Sequence, residues 1–303
     1  MKKLFALVLS LMLVFSATAA LADAKVYLIT MDLFDAHWVA VDQGCKDAAA
    51  ELGGIEYKWS APTQGKDDAA QIENINNAFA DGADVILLAS NGPQTQVATL
   101  EQIAAEGVKI VYVDSPADFD GALQTLATNN TNAGQIAGEQ LLKALTDKGV
   151  TEGKIGIVNI NAATVSTQQR ETGFRKAFEG SAFELLETQY GNGDATLSQE
   201  IANNYITEGC VGIFGANEGA TVGVGNAIAE NGNTIAGVGF DKSDAILKLV
   251  EGGSLLCTMA QNPYVMGYEG MKTAAKALAG ETEFEDMDTG VSVIDAAYLA
   301  ANK

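Results

Sequence analysis

The 303-residue chain is 48% hydrophobic and only 19% charged, which supplies apolar material for one large domain or two of ~100 to 150 residues and excludes disorder or a coiled coil. Its 39 acidic residues outnumber 18 Lys and Arg, for a net charge of −21, and so negative a surface repels nucleic acid and anionic lipid headgroups. Cys45, Cys210 and Cys257 are too few and too far apart for a disulfide framework or a CxxC pair, and a single histidine, His37, excludes multi-histidine metal sites.

The chain begins with Lys2 and Lys3, an apolar run from Leu4 to Phe15, and small residues through Ala22. This order reads as a secretory signal peptide, with A-x-A sites at Ala17-Thr18-Ala19 and Ala20-Leu21-Ala22. A transmembrane anchor needs ~20 apolar residues, and this run is shorter. Cleavage after Ala22 removes two lysines and no acids, taking the net charge from −21 to −23. No cysteine follows closely, so a lipid anchor is not expected.

Beyond residue 22, short β-branched runs alternate with longer amphipathic ones: Val85 to Leu88, then Gln96 to Glu106, then Ile110 to Val113. Strand, helix, strand predicts a parallel sheet with helices on its faces. The order recurs. Lys25 to Ile29 matches Lys154 to Val158 and Gly44 matches Gly173, both at an offset of 129 positions. Asn77 matches Asn204, Asn91 matches Asn217 and Asp114 matches Asp241, at 127, 126 and 127. Two α/β lobes of similar, Rossmann-like plan follow. In open parallel sheets ligands sit beyond the carboxyl ends of the strands, where Asn91, Asp114, Asn217 and Asp241 are expected. Asp and Asn also cap helices and start turns. A matched pair in each half favours one ligand cleft served by both lobes.

These residues resemble a family, the type I periplasmic solute-binding proteins of sugar ABC transporters, most closely the D-ribose-binding type. The specific segments are Gly237-Val-Gly-Phe-Asp241, Met259 to Gly267, Thr172 to Phe178 and Ala216-Asn217-Glu218. The resemblance implies two lobes joined by a three-strand hinge, crossing near Asn129-Asn130, Gln261-Asn262 and Thr289-Gly290. The N-terminal lobe then holds residues 23–129 and 262–289, regaining a helix from Pro263 to Ala279, and the C-terminal lobe holds 130–261 and 290–303. It also implies a site built from Phe34, Asp35, His37, Trp38, Asn91, Asp114, Gln168, Arg170, Asn217, Phe240, Asp241 and Gln261. Trp38 and Phe240 are the candidates for stacking on a sugar ring, and Trp59 is left to packing. The chain departs from the family where Asp35-Ala36-His37-Trp38 replaces an Asn, a Pro and two aromatics, and where Ser115 and Gln168 stand in place of arginines. Asp35, Asp114 and Asp241 are then left with Arg170 as the nearby fixed cation, so the ligand should offer donors: a neutral polyol or sugar, or an amine-bearing solute. His37 adds a proton near its ordinary pKa of ~6.5.

The partners so implied are an ABC permease and, as an alternative, a membrane chemoreceptor; no cofactor or metal is expected. An enzyme on the same fold is disfavoured, because GxSxG, HExxH and GxxxxGK[ST] do not occur and Gly223-Val-Gly225 falls within a helical stretch. A repressor core would carry a helix-turn-helix where the signal peptide stands. A calcium loop is also disfavoured, since Gly191-Asn-Gly-Asp194 has too few acids. Cys45 and Cys257 are expected in packed interiors, with Cys210 the most accessible.

Overall fold

The computed structural model describes residues 24–63 and 67–302. The expected signal peptide lies outside the described residues. In chain order the first elements are β1 (Ala24–Ile29), α1 (Ala36–Leu52), β2 (Ile55–Ser60), α2 (Asp68–Ala80), β3 (Val85–Leu88), α3 (Val97–Ala105), β4 (Lys109–Val113) and β5 (Thr125–Ala127). Next come α4 (Asn130–Asp147), β6 (Glu152–Asn159), α5 (Val165–Ala177), β7 (Ala182–Leu185), β8 (Gln189–Tyr190), α6 (Ala195–Thr207), β9 (Cys210–Gly215) and α7 (Glu218–Glu230). The chain continues through β10 (Ala236–Phe240), α8 (Asp244–Glu251), β11 (Cys257–Gln261), α9 (Pro263–Leu278), β12 (Met287–Asp288), β13 (Val291–Asp295) and α10 (Ala296–Ala301).

The described chain divides into two compact units, one running to Ala127 and taking in Pro263–Asp288, the other comprising Thr128–Asn262 and the segment from Thr289. It passes from one unit to the other after Ala127, after Asn262 and after Asp288.

In the first unit six strands lie in the order β12-β5-β4-β3-β1-β2, every pair parallel. All four residues of β3 are buried, as expected of a central strand covered on both faces. One face packs Val26, Leu28, Val85 and Leu87 against α1 and α9; the other packs Ile29, Ile86 and Leu88 against α2 and α3. Trp59 packs against the first of these cores and donates its indole N–H to Thr30 Oγ1 at 2.8 Å.

The second unit orders its strands β13-β11-β10-β9-β6-β7, with β8 also paired to β6. One strand departs from the expected parallel sheet: β13 runs antiparallel to β11, with Gln261 opposite Val291. The cause is the route of the chain. It leaves the unit at the end of β11 and returns beside that same end, where Asn262 Nδ2 donates to Thr289 O at 2.7 Å, so β13 can only run back along its neighbour.

Each unit also contains a helix pair in which glycines permit backbone contact. A Cβ at Gly44 would stand 2.1 Å from Tyr264 O, and one at Gly267 would stand 1.9 Å from Val41 O. In the second unit a Cβ at Gly134 would meet Arg170 O at 1.9 Å, and one at Gly173 would meet Thr131 O at 1.8 Å. No side chain fits at any of the four positions without moving backbone.

All three cysteines are buried and free. Cys210 corrects the expectation of accessibility. It opens β9, which lies between β10 and β6 in the sheet, and burial pushes its thiol up to about 11.

Candidate functional site

In the first unit the loop after β1 is organised by Asp32, which the sequence reading passed over. Asp32 is buried, and its Oδ1 accepts from the backbone N–H groups of Phe34 at 3.0 Å and Asp35 at 2.8 Å. Asp35 caps α1, its Oδ1 accepting from His37 N at 2.9 Å. In the first turn of α1, His37 Nε2 reaches to 3.4 Å from Asp114 Oδ1. Asp114 follows β4 in the left-handed region at φ 66, with its N–H bonded to Leu126 O at 2.9 Å and its Oδ2 accepting from Ser115 Oγ at 2.9 Å. Asn91 follows β3. Its backbone N–H is held by Gln71 Oε1 at 2.8 Å, while its side-chain Oδ1 and Nδ2 are both buried with no partner among the described residues.

In the second unit Asp241 repeats this corner after β10, at φ 73, with its N–H bonded to Met259 O at 2.9 Å. Gln261 Nε2 donates to Asp241 Oδ1 at 2.5 Å, and Thr258 Oγ1 donates to the Asp241 carbonyl at 2.8 Å. The Gln261 Oε1 is buried without a partner among the described residues. Arg170 is buried beside this corner: Nε donates to Asn130 Oδ1 at 2.8 Å, Nη1 donates to Ala216 O at 3.0 Å, and Nη1 lies 3.9 Å from Asp241 Oδ2. The guanidinium thus joins the start of α4, the end of β9 and the Asp241 corner. Asn217 caps α7, accepting from Ala220 N at 3.3 Å.

Packing sets the surroundings of three of the expected residues. Trp38 is only 5% exposed, because with Val41, Cys45 and Ala48 it follows the helical spacing that turns one stripe of α1 into the core. It touches His37 edge-on, ring centroids 4.6 Å apart. Phe240 is fully buried, with the Arg170 guanidinium 4.3 Å above its ring and Phe214 meeting it edge-on at 6.0 Å. Neither ring has a face free for a ligand. Gln168 is exposed and its side-chain amide donates to Ala162 O; two positions from Arg170 on a helix, it projects from a different side, and no hydrogen bond joins it to Asp241. Phe34, 71% exposed in the loop before α1, is the aromatic of the expected set with an open face.

Besides Asp32, the sequence reading missed Gln71. Gln71 shares a buried stripe with Ile75 and Ala78 at helical spacing, and a polar residue on such a stripe is the signal that could have found it.

Two topologically related α/β units, each with an aspartate at a strand-end corner, define a receptor class, and residues 26–282 match the periplasmic binding protein domain family. The chain belongs to that family. It is 27% identical over 284 residues to a ribose import binding protein of Haemophilus influenzae, covering 93% of this chain and 95% of the relative. With the D-allose-binding periplasmic protein of Escherichia coli it shares 25% identity, over 86% of each chain. A solved carbohydrate transporter solute-binding protein of Agrobacterium radiobacter, in complex with D-arabinose, superposes with a TM-score of 0.87 at 29% identity, covering 93% of this chain and 97% of that one.

Proposed function

We propose that the chain is an extracytoplasmic receptor that captures a monosaccharide or polyol and delivers it to an ABC permease. The observation that carries this reading is the pair of corner acids, Asp114 and Asp241, each set at a strand end in the left-handed region, together with side-chain polar atoms of Asn91, after the neighbouring strand β3, and of Gln261, bonded to Asp241, that the described residues leave without partners. Buried carboxylates and amides of this kind accept from and donate to hydroxyl groups. The sugar named with each of the relatives above supports the same ligand class. Export through the N-terminal signal peptide and a periplasmic location belong to this reading.

The acids set the ligand's charge. In each unit a carboxylate stands at the strand-end corner, Asp114 beside His37 and Asp241 beside Arg170, so a neutral or cationic solute is favoured over a sugar phosphate or sugar acid, whose charge would meet a carboxylate in a medium of reduced dielectric. Catalysis forms no part of the reading.

A thermal-shift and calorimetric series tests it, using D-ribose, D-allose, D-arabinose, an amino sugar, ribose 5-phosphate and glucuronate. A true ligand at ~100 times its dissociation constant stabilises by about 2.7 kcal/mol. The neutral and amine-bearing compounds should supply the hits. Stabilisation by ribose 5-phosphate or glucuronate alone, or by none of the series, overturns the proposal.

A further inference from the structure

We infer that Gln71 is a positioning residue for ligand binding: it fixes the backbone that carries the Asn91 amide, and so sets the affinity of the first lobe without touching the ligand itself. The inference rests on the reading that Asn91 serves a solute.

Gln71 sits in the first turn of α2, a helix whose own N-terminus is capped by Asp67. Its side chain is completely buried. A primary amide has two N–H donors and a carbonyl able to accept twice, and here all four are used. Nε2 donates to Thr30 O and to Ala89 O, both at 2.9 Å. Oε1 accepts from Asn91 N at 2.8 Å and from the Gln96 side-chain amide. One side chain therefore ties together the residue after β1, the residue after β3, the loop carrying Asn91 and the residue that precedes α3.

Thr30 and Ala89 lie just past the last strand residues; their N–H groups still bond across the sheet, to Ser60 O at 3.2 Å and Ile29 O at 2.9 Å, while their carbonyls accept from Gln71. Without Gln71 the Asn91 N–H would need another partner in a buried place, and an unmade hydrogen bond there costs more than a made one contributes. In Asn91 both polar atoms of the side chain are buried with no partner among the described residues, whereas in Gln96 only Oε1 is so placed. A fully satisfied amide holding an unsatisfied one is the arrangement expected of a fixed support beneath a group reserved for something else. The second unit has no such clamp at the matching place. Ser198, 127 positions on, is buried with its hydroxyl unpartnered among the described residues, and the end of β9, the strand that matches β3, is held instead by Thr221, whose Oγ1 donates to Gly215 O at 3.2 Å.

The test is a double-mutant cycle on the full chain with Gln71→Leu, Asn91→Ala and their combination, titrated with whichever of D-ribose, D-allose and D-arabinose binds wild type most tightly. Asn91→Ala should weaken binding roughly tenfold, Gln71→Leu by a similar factor, and the double variant no further, since both remove one contact. Multiplying losses, or an unchanged Kd in Gln71→Leu, overturn the inference. Gln71→Glu, which keeps the shape and loses both donors, is the second variant. If neither variant yields folded protein, the role of Gln71 is in the fold and the inference fails. A ligand-free readout separates this from failure of the ligand reading: in Gln71→Leu the Asn91 amide should lose hydrogen-exchange protection while Leu87 and Leu88 keep theirs. If no sugar binds wild type but that selective loss is seen, the support stands and the ligand class is wrong; uniform loss, or none, overturns the support.

Discussion

The two units use nearly the same frame and charge it differently. Asp42 and Lys46 form an i,i+4 pair on α1, and Glu171 and Arg175 form the same pair on α5, 129 positions later. The glycines that admit the neighbouring helix keep that offset, Gly44 and Gly173. So do the carbonyls that meet that helix's glycine, those of Val41 and Arg170. At this last position the lobes diverge. Val41 is packed in an apolar core, whereas Arg170 turns a buried guanidinium toward Asn130, Ala216 and Asp241. The first lobe therefore has no fixed cation at that turn, and its corner acid Asp114 has the titratable His37 nearby instead. A duplicated backbone specifies where the corner acids stand. It does not specify what compensates them.

The largest expected effect breaks the fixed-cation lobe. Arg170→Met should lower unfolding stability by about 3 kcal/mol, since it leaves Asn130 Oδ1 and Ala216 O without their donor and Asp241 without its neighbouring buried cation, whereas His37→Phe should change it by under about 1 kcal/mol. Urea unfolding of both variants measures the difference; equal losses would remove the contrast between the lobes.

Binding sharpens the comparison next. Asp114→Asn and Asp241→Asn keep a residue that tolerates positive φ, so each should fold, and each should lose about 1.5 to 3 kcal/mol of affinity by calorimetry. Asp241→Asn should sit at the upper end because a buried arginine charge remains beside it. A wild-type Kd in either variant takes that corner out of the site.

The smallest effect is acid sensitivity in the second lobe. Burial pushes the Glu171 carboxyl up, but the Thr188 hydroxyl, the Asn159 amide and the Arg175 guanidinium outweigh it and hold the group below the ordinary carboxylate value. A depressed folded pKa contributes stability that is fully present above the unfolded value, ~4.3 for Glu, and is lost as pH falls through the folded value. Glu171→Gln should therefore cost about 1 kcal/mol at neutral pH and flatten the acid limb of the stability profile. An acid limb as steep as wild type would assign that sensitivity elsewhere.

Local information carried much of the plan. The alternation of β-branched and amphipathic runs, the offsets of 126 to 129 positions and the acids at strand ends are all written within short windows, because strand and helix periodicity and turn chemistry act between near neighbours. What tertiary structure decided were the properties that depend on partners distant in sequence. Trp38 and Phe240 became core through residues of other elements, the first in a core shared with Val85, Leu87 and Met266 and the second against Phe214 and Arg170. The partner of Arg170 Nε is Asn130, 40 positions away, and the clamp on Asn91 comes from Gln71, 20 positions away on another element. The antiparallel β13 follows from where the chain re-enters its unit. Residue type and spacing set which groups reach a strand end; the direction of each side chain, and whether another group already satisfies it, is settled only when the elements pack.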